Sequence, residues 1–332
     1  MTLNLFAFVV SFLITVCFSP FAISMIKKLK AKQTILHYVK EHSQKQGTPT
    51  MGGIIFILPC LVISLCFFKT DFALSIISLA VMLSFGLLGF LDDFIKIIYH
   101  QNLGLRAYQK IIGQVGISLV ISVFAYKTNL VGTTLFIPFG GGQVIDIGGW
   151  IIPFNVFVFL SLVNSVNLID GLDGLCGGVS MVNFVSFAVV VMLIMPSLSG
   201  AVLTEFGNLS IICFVIAGCL LAYFLFNCFP AKIFMGDTGS LALGGLLCSI
   251  AIFTRTTLYI PLIGFMYVLT AVSDVIQVLH YKRTKKRIFL MAPLHHHFQM
   301  SGVNENRITI IYIVTTMLIS IGSIALILFI GG

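Results

Sequence analysis

Charge is what this sequence has least of. Only 9% of its 332 residues are Asp, Glu, Lys or Arg, against about 25% in a soluble globular protein. So little polar surface excludes a water-facing body of this size, and long apolar runs recur from end to end. A polytopic membrane protein without a separate soluble domain is expected. Other absences narrow the chemistry. No C-x-x-C or similar spacing joins the eight cysteines, which lie mostly inside apolar runs and read as packing residues, not disulfides or metal ligands. No G-x-x-x-x-G-K-[ST] loop occurs, so hydrolysis of ATP on a P-loop is not indicated. No basic stretch precedes the first apolar run and no small-residue cleavage site ends it, so that run is expected to be a retained span.

What is present is a series of apolar segments near the ~20 residues a membrane helix needs. Ten are expected: 3–26, 52–69, 72–91, 108–126, 151–169, 178–195, 205–226, 238–254, 258–281 and 308–330. The fourth is the weakest, because Gly113 and Gly116 interrupt it. The connections after odd-numbered spans hold all but three of the 19 lysines and arginines. The exceptions are Lys69, Lys127 and Arg255. Basic residues favour the cytoplasmic side, so these five loops are expected inside and both termini outside. Between the fourth and fifth spans, residues 127–150 carry short β-like runs between glycines. They predict an extracytoplasmic hairpin. The fold class expected is thus all-α and polytopic, with about ten transmembrane helices and that one β-hairpin.

Five polar clusters lie in or beside the five cytoplasmic loops. Lys45-Gln46-Gly47-Thr48-Pro49-Thr50-Met51-Gly52-Gly53 opens the second span. Its glycines allow close backbone approach and its helix start favours an anion, although a Pro/Gly turn that simply caps the helix has the same composition. Asp92-Asp93 ends the third span. Adjacent carboxylates at a membrane boundary are costly unless solvated, paired or metal-bound, and beside phosphates they suggest a divalent ion or a base. Asn164 and Asn167-Leu168-Ile169-Asp170-Gly171-Leu172-Asp173-Gly174 place two acids three apart, on one helix face or around a polar turn. Asn227, Pro230, Lys232 and Phe234-Met235-Gly236-Asp237-Thr238-Gly239-Ser240 put an aspartate among small residues before the eighth span. It is a candidate N-cap or a candidate ligand of Mg²⁺ and phosphate. Finally, Ala292-Pro293-Leu294-His295-His296-His297-Phe298-Gln299 follows the basic run Lys282-Arg283-Thr284-Lys285-Lys286-Arg287. Adjacent helical residues point about 100° apart and do not easily share one zinc, so contact with phosphate or proton exchange fits the histidines better.

Acids for Mg²⁺, cations for phosphate and glycine turns on one face indicate phosphoryl transfer from a cytoplasmic phosphorylated donor. The acceptor met at that face would be a lipid. An ion-coupled transporter also uses buried acids and broken helices, but places them near the bilayer midplane. No nucleic-acid partner is expected.

The runs K-Q-G-T-P-T-M-G-G, L-D-D, N-L-I-D-G-L-D-G-L, F-N-C-F-P-A-K-I-F-M-G-D-T-G-S and M-A-P-L-H-H-H-F closely resemble the phospho-N-acetylmuramoyl-pentapeptide-transferase family. That family lies within the polyprenyl-phosphate N-acetylhexosamine-1-phosphate transferases. The acid motifs are shared across the wider group. The histidine run and the G-T-P-T-M-G-G run are specific to the muramoyl branch, and disfavour a UDP-GlcNAc:polyprenyl-phosphate transferase.

The resemblance implies one integral transferase domain over residues 1–332, in the bacterial cytoplasmic membrane as a homodimer, with a catalytic cleft at the cytoplasmic face. It also implies Mg²⁺ as cofactor. UDP-MurNAc-pentapeptide and undecaprenyl phosphate would give lipid I and UMP. Carried over, Asp237 resembles the metal ligand, with Asp92 and Asp93 beside it and Asp92 the better candidate base. Asn227 resembles a polar contact to that site. Asn167, Asp170 and Asp173 resemble the nucleoside pocket, with Phe234 on uracil and Lys45 and Thr50 near the nucleoside or sugar. Lys96 and Lys110 resemble phosphate contacts, and His295, His296 and His297 the cluster near pyrophosphate and sugar. The chain departs from the family at Thr270 and Gln299, where Glu is usual, and at His100, often basic. Asp274, one turn beyond Thr270, is a candidate substitute.

Overall fold

The structure is a computed structural model that describes residues 1–28, 47–99 and 104–331. Helices dominate it: α1 (Thr2–Lys28), α2 (Ile54–Phe67), α3 (Ala73–Ile98), α4 (Ala107–Lys127), α5 (Ile151–Ile169), α6 (Leu175–Ile194), α7 (Gly200–Asn227), α8 (Gly236–Phe253), α9 (Ile260–Ile263), α10 (Phe265–Thr284), α11 (Leu294–Met300) and α12 (Glu305–Gly331). Eight of these helices are long and apolar enough to cross a membrane. The expected all-α membrane architecture is therefore present, and each of the ten expected segments holds a helix. Two differ from a simple span. The second is only 14 residues long, about 21 Å at helical rise. Its first residues are spent on pairing, since Gly52 N–H donates to the Phe234 carbonyl (2.8 Å) and Gly53 N–H to that of Met235 (3.1 Å). The ninth is broken, with Thr257–Ile263 and Phe265–Thr284 meeting at 82°. Pro261 and Gly264 stand at the break, and glycine neither fills nor stiffens the backbone there.

The hairpin between α4 and α5 is real and small. Its strands β1 (Thr134–Phe136) and β2 (Val144–Asp146) run antiparallel with Leu135 opposite Ile145. Arg255, beyond the far end of α8, binds it through its carbonyl to Phe136 N–H (2.9 Å) and its guanidinium to Thr134 Oγ1 (3.3 Å). All eight cysteines are free thiols.

α8 is the axis of the bundle, nearly all of it buried between α3 and α5. Small residues make this possible. A Cβ on Gly89 of α3 would collide with the Asp237 carbonyl, and one on Gly244 of α8 would come to 2.7 Å from the Val163 Cα of α5. At the opposite end of the bundle, α3 has no local cap. Glu205 of α7, 1% exposed, supplies one from across the fold. Its carboxylate accepts from Leu74 N–H (2.8 Å), Ser75 N–H (3.3 Å) and Ser75 Oγ (3.2 Å). Asn208, one turn on, holds the preceding loop through Lys69 N–H (2.9 Å) and the Asp71 carbonyl (3.2 Å).

Removing this acid strands helix-end donors where water cannot reach them, at about 1–3 kcal/mol per group. Glu205→Ala is therefore expected to destabilise the protein by about 2–3 kcal/mol, read as a lower melting temperature in detergent. Glu205→Gln should lose less.

Candidate active site

The site forms where α3, α5 and α8 meet with three loops at one end of the bundle. Asp93 sets the geometry. Its Oδ2 accepts from Thr238 N–H (2.9 Å) and Thr238 Oγ1 (2.7 Å), and its Oδ1 from Asp237 N–H (3.2 Å). The two N–H groups belong to the unpaired donors of the first turn of α8, so Asp93 is an N-cap supplied by another helix. The chain enters that turn through Gly236 at φ +72°, a left-handed conformation that a side chain would disfavour. A Cβ there would also meet Asp93 Oδ2 at 2.5 Å and Thr50 Oγ1 at 2.8 Å.

Asp237 follows, with both carboxylate oxygens held. Oδ1 accepts from Asn167 Nδ2 at 2.8 Å, and Asn167 also reaches Ser240 Oγ at 2.9 Å. Oδ2 accepts from Lys110 Nζ at 2.8 Å and Lys96 Nζ at 3.3 Å. Lys96 lies one turn beyond Asp92 and pairs with its Oδ2 at 2.5 Å. Asp92 Oδ1 accepts from Leu105 N–H at 2.7 Å. One oxygen from each of Asp92, Asp93 and Asp237 lies within 4.8 Å of the others. A hard divalent cation takes such carboxylate oxygens.

The loops around this group are mutually braced. Phe234 N–H donates to the Pro49 carbonyl (2.8 Å), which with the Gly52 and Gly53 bonds zips residues 49–53 to 234–235. Thr50 is buried in that seam and Phe234 is partly exposed beside it. Asn227 spends its amide on Gly174 N–H (3.1 Å) and the Ile233 carbonyl (2.9 Å). Asp173 Oδ2 takes Ala231 N–H (3.0 Å), and its own N–H donates to Glu305 of α12 (2.6 Å). Asn227 and Asp173 thus brace loop backbone, and Asp173 also meets Glu305. Asp170 stands between, at the end of α5. Burial raises its pKa well above the usual carboxylate range, and the negative charges of Asp237, Asp93 and Asp173 raise it further, with the Gly236 N–H offsetting part.

The histidines divide their work. His295 is fully buried, its ring 4.4 Å from that of His296 and 6.3 Å from Tyr312, and neither ring nitrogen has a hydrogen-bond partner among the described residues. Burial first, then His296, holds its pKa well below the usual imidazole value, so it is neutral. His297 Nδ1 accepts from Leu290 N–H (3.2 Å) and braces the preceding loop. His296 is partly exposed, and with His295 it faces the Gly171 backbone. Gln299 Oε1 lies 3.1 Å from His296 Nδ1. Thr270 is buried and turned onto the Met266 carbonyl (2.7 Å). Asp274 lies one turn on and is partly exposed. Lys45 and His100 fall outside the described residues. Ser240 and Glu305 were not among the residues singled out from sequence. Ser240 stood inside a noted motif, whereas nothing near Glu305 tells which loop it caps.

Comparison with known proteins agrees with the motifs. Residues 74–255 match the Glycosyl transferase family 4 pattern, and residues 45–57 match phospho-N-acetylmuramoyl-pentapeptide-transferase signature 1. A phospho-N-acetylmuramoyl-pentapeptide-transferase of Alkaliphilus metalliredigens is 42% identical, covering 97% of this chain and 98% of the relative. Transferases of the same name from Clostridium kluyveri (40% identical, 97% and 99% covered) and Clostridioides difficile (41%, 94% and 94%) are also similar.

The raised pKa of Asp170 has a signed consequence. Its folded-state carboxyl titrates above the unfolded value of about 3.9, so the folded state loses relative stability as pH rises from about 4 through the folded-state pKa. Asp170→Asn removes that penalty. In chelator, the variant should melt above the parent at pH 8, and the gap should close by about pH 4. A gap that widens on acidification would show a carboxylate stabilised by its surroundings.

Proposed function

The chain belongs to the phospho-N-acetylmuramoyl-pentapeptide-transferase family, and from that membership we propose that it transfers phospho-MurNAc-pentapeptide from UDP-MurNAc-pentapeptide to undecaprenyl phosphate. The products are lipid I and UMP, a step of peptidoglycan synthesis. One pyrophosphate bond replaces another, so no further energy source is needed. The observation that carries the reading is the cluster of Asp92, Asp93 and Asp237 with Lys96 and Lys110, at the end of the bundle that also bears most basic residues. By the positive-inside argument that end faces the cytoplasm, where a nucleotide donor is found. The reading includes the bacterial inner membrane as location and a homodimer as assembly.

The carboxylate oxygens fit Mg²⁺, with Asp237 the leading ligand and Asp92 and Asp93 beside it. A bound ion would neutralise charge on the donor diphosphate, which is the main demand of phosphoryl transfer. The residues of the chain supply the rest. An oxygen of the lipid phosphate attacks the β-phosphorus, the bond from that phosphorus to the UMP oxygen breaks, and UMP departs. A phosphate monoester is already largely ionised at neutral pH, so a base has little to do. Asp92 is the better placed for that duty, since Asp93 is committed to α8 through three hydrogen bonds. Lys96 and Lys110 neutralise phosphate oxygens. Phe234 stacks on uracil beside Asp170, and Asn167 orients Asp237. Asp173 and Asn227 hold the loop that presents Phe234, and Lys45 and Thr50 approach the nucleoside or sugar. His296 contacts pyrophosphate or sugar, backed by the neutral His295 and steadied by His297.

The deciding assay measures UMP release by the purified protein given undecaprenyl phosphate, Mg²⁺ and either UDP-MurNAc-pentapeptide or UDP-GlcNAc. UMP from the muramoyl donor alone, lost on chelation, is expected. Release from UDP-GlcNAc instead would move the chain to the sibling transferases. Asp237→Asn should abolish turnover with the fold intact, and robust activity would refute the metal assignment. Phe234→Ala should raise the donor KM about tenfold or more with little change for the lipid.

A further inference from the structure

We infer that Lys110 and Lys96 are displaceable counter-ions: they hold the carboxylate oxygens that the divalent ion needs, and its arrival transfers them to the donor's phosphates. The inference rests on the magnesium reading and deepens it. The geometry is specific. Asp237 has one oxygen committed to Asn167 at 2.8 Å, and the other receives Lys110 at 2.8 Å and Lys96 at 3.3 Å. Lys96 also sits 2.5 Å from Asp92 Oδ2 and 3.9 Å from Asp93 Oδ1. The two ammonium groups therefore touch every acid of the cluster that suits a metal. Mg²⁺ binds oxygen at about 2.0–2.1 Å. With an ammonium still on the same oxygen, three positive charges would crowd into a partly dry site, where like-charge repulsion is poorly screened. Ion and ammonium cannot both keep Oδ2.

Attachment decides which side yields. The Asp92 and Asp93 side chains are 4% and 3% exposed and tied to backbone, Asp93 at α8 and Asp92 at Leu105. Asp237 is 17% exposed, much like Lys110 at 16% and less than Lys96 at 30%, but its short side chain stands on the first turn of α8 and is held by Asn167. Lysine carries its charge on a flexible four-carbon stem. The ammonium groups can swing away on their stems, whereas the carboxylates are fixed by their helices. Once displaced, the ammonium groups need anions, and the donor diphosphate supplies them.

This coupling gives two effects of opposite sign. A lysine should oppose the ion and assist the donor. A fixed structural ion pair would do neither, and a simple phosphate contact only the second. The test uses the full-length protein in lipid nanodiscs without substrates, with Mn²⁺ as probe and its binding followed by electron paramagnetic resonance. Lys110→Gln should bind Mn²⁺ about tenfold more tightly than the parent, and Lys96→Gln should shift the same way. Lys110→Arg, which keeps the charge, should remain near the parent. With saturating ion, both Gln variants should bind UDP-MurNAc-pentapeptide more weakly. In the unaltered protein, acetylation of Lys110 and Lys96 read by mass spectrometry should rise severalfold when Mn²⁺ is added, a measurement that needs no variant to fold. Saturable Mn²⁺ binding by the parent with equal or weaker binding by the variants would overturn the exchange and leave the metal reading intact. Unchanged acetylation on saturation would do the same. Failure of parent and variants alike to bind Mn²⁺ would overturn the metal reading and the exchange with it.

Discussion

The docking of the first turn of α8 onto Asp93 is the contact on which the rest of this structure depends. A helix that begins inside a membrane protein leaves several N–H groups without partners, and lipid offers none. Asp93 answers two of them and the Thr238 hydroxyl as well, with the helix dipole favouring its negative charge. The contact fixes where α8 starts, and so where Asp237 stands. It also requires α3 to approach the turn directly, which the missing side chain of Gly89 permits. The position of Asp237 and the packing of the central helix are thus one constraint.

The same device appears at the other end of α3, where Glu205 closes the helix start. Local cap signals fail at both places, because neither Phe72 nor Met235 offers a capping side chain. Each cap comes from more than a hundred residues away. That is why the sequence leaves Asp93 as metal ligand or base, and why Glu205 and Glu305 attract no notice in it. Among the described acids, Asp93, Asp173, Glu205 and Glu305 serve backbone donors, Asp237 answers ammonium groups, and Asp92 does both.

Features governed by composition and period were legible. Apolar length located the helices and glycine spacing located the hairpin, and the described residues of the five polar clusters lie together at one end of the bundle, joined there by Lys96 and Lys110 from outside them. Features governed by distant contact were not. The pairing of residues 49–53 with 234–235 shortens α2, and no count of apolar residues discloses that. The 82° break at Gly264 lies inside a run that reads as one span, since a single glycine is compatible with a straight membrane helix. The three histidines are identical in sequence yet differ in the fold, one sealed, one bracing a loop and one open to the site.

Asp237 shows why the acids and lysines must be considered together. Four aspartates near one another would repel, and Asp170 already bears the cost as a raised pKa. Lys96 and Lys110 relieve the rest, but they do so on long stems, while Asp92 and Asp93 are sealed and tied to backbone and Asp237 is fixed on the first turn of α8. A site neutralised by rigid arginine forks would be more stable and less able to exchange partners. Lysine gives up geometric precision and in return can change partners on its flexible stem. The acids are fixed by the helix ends that carry them, and the cations of the site are borne on its longest side chains.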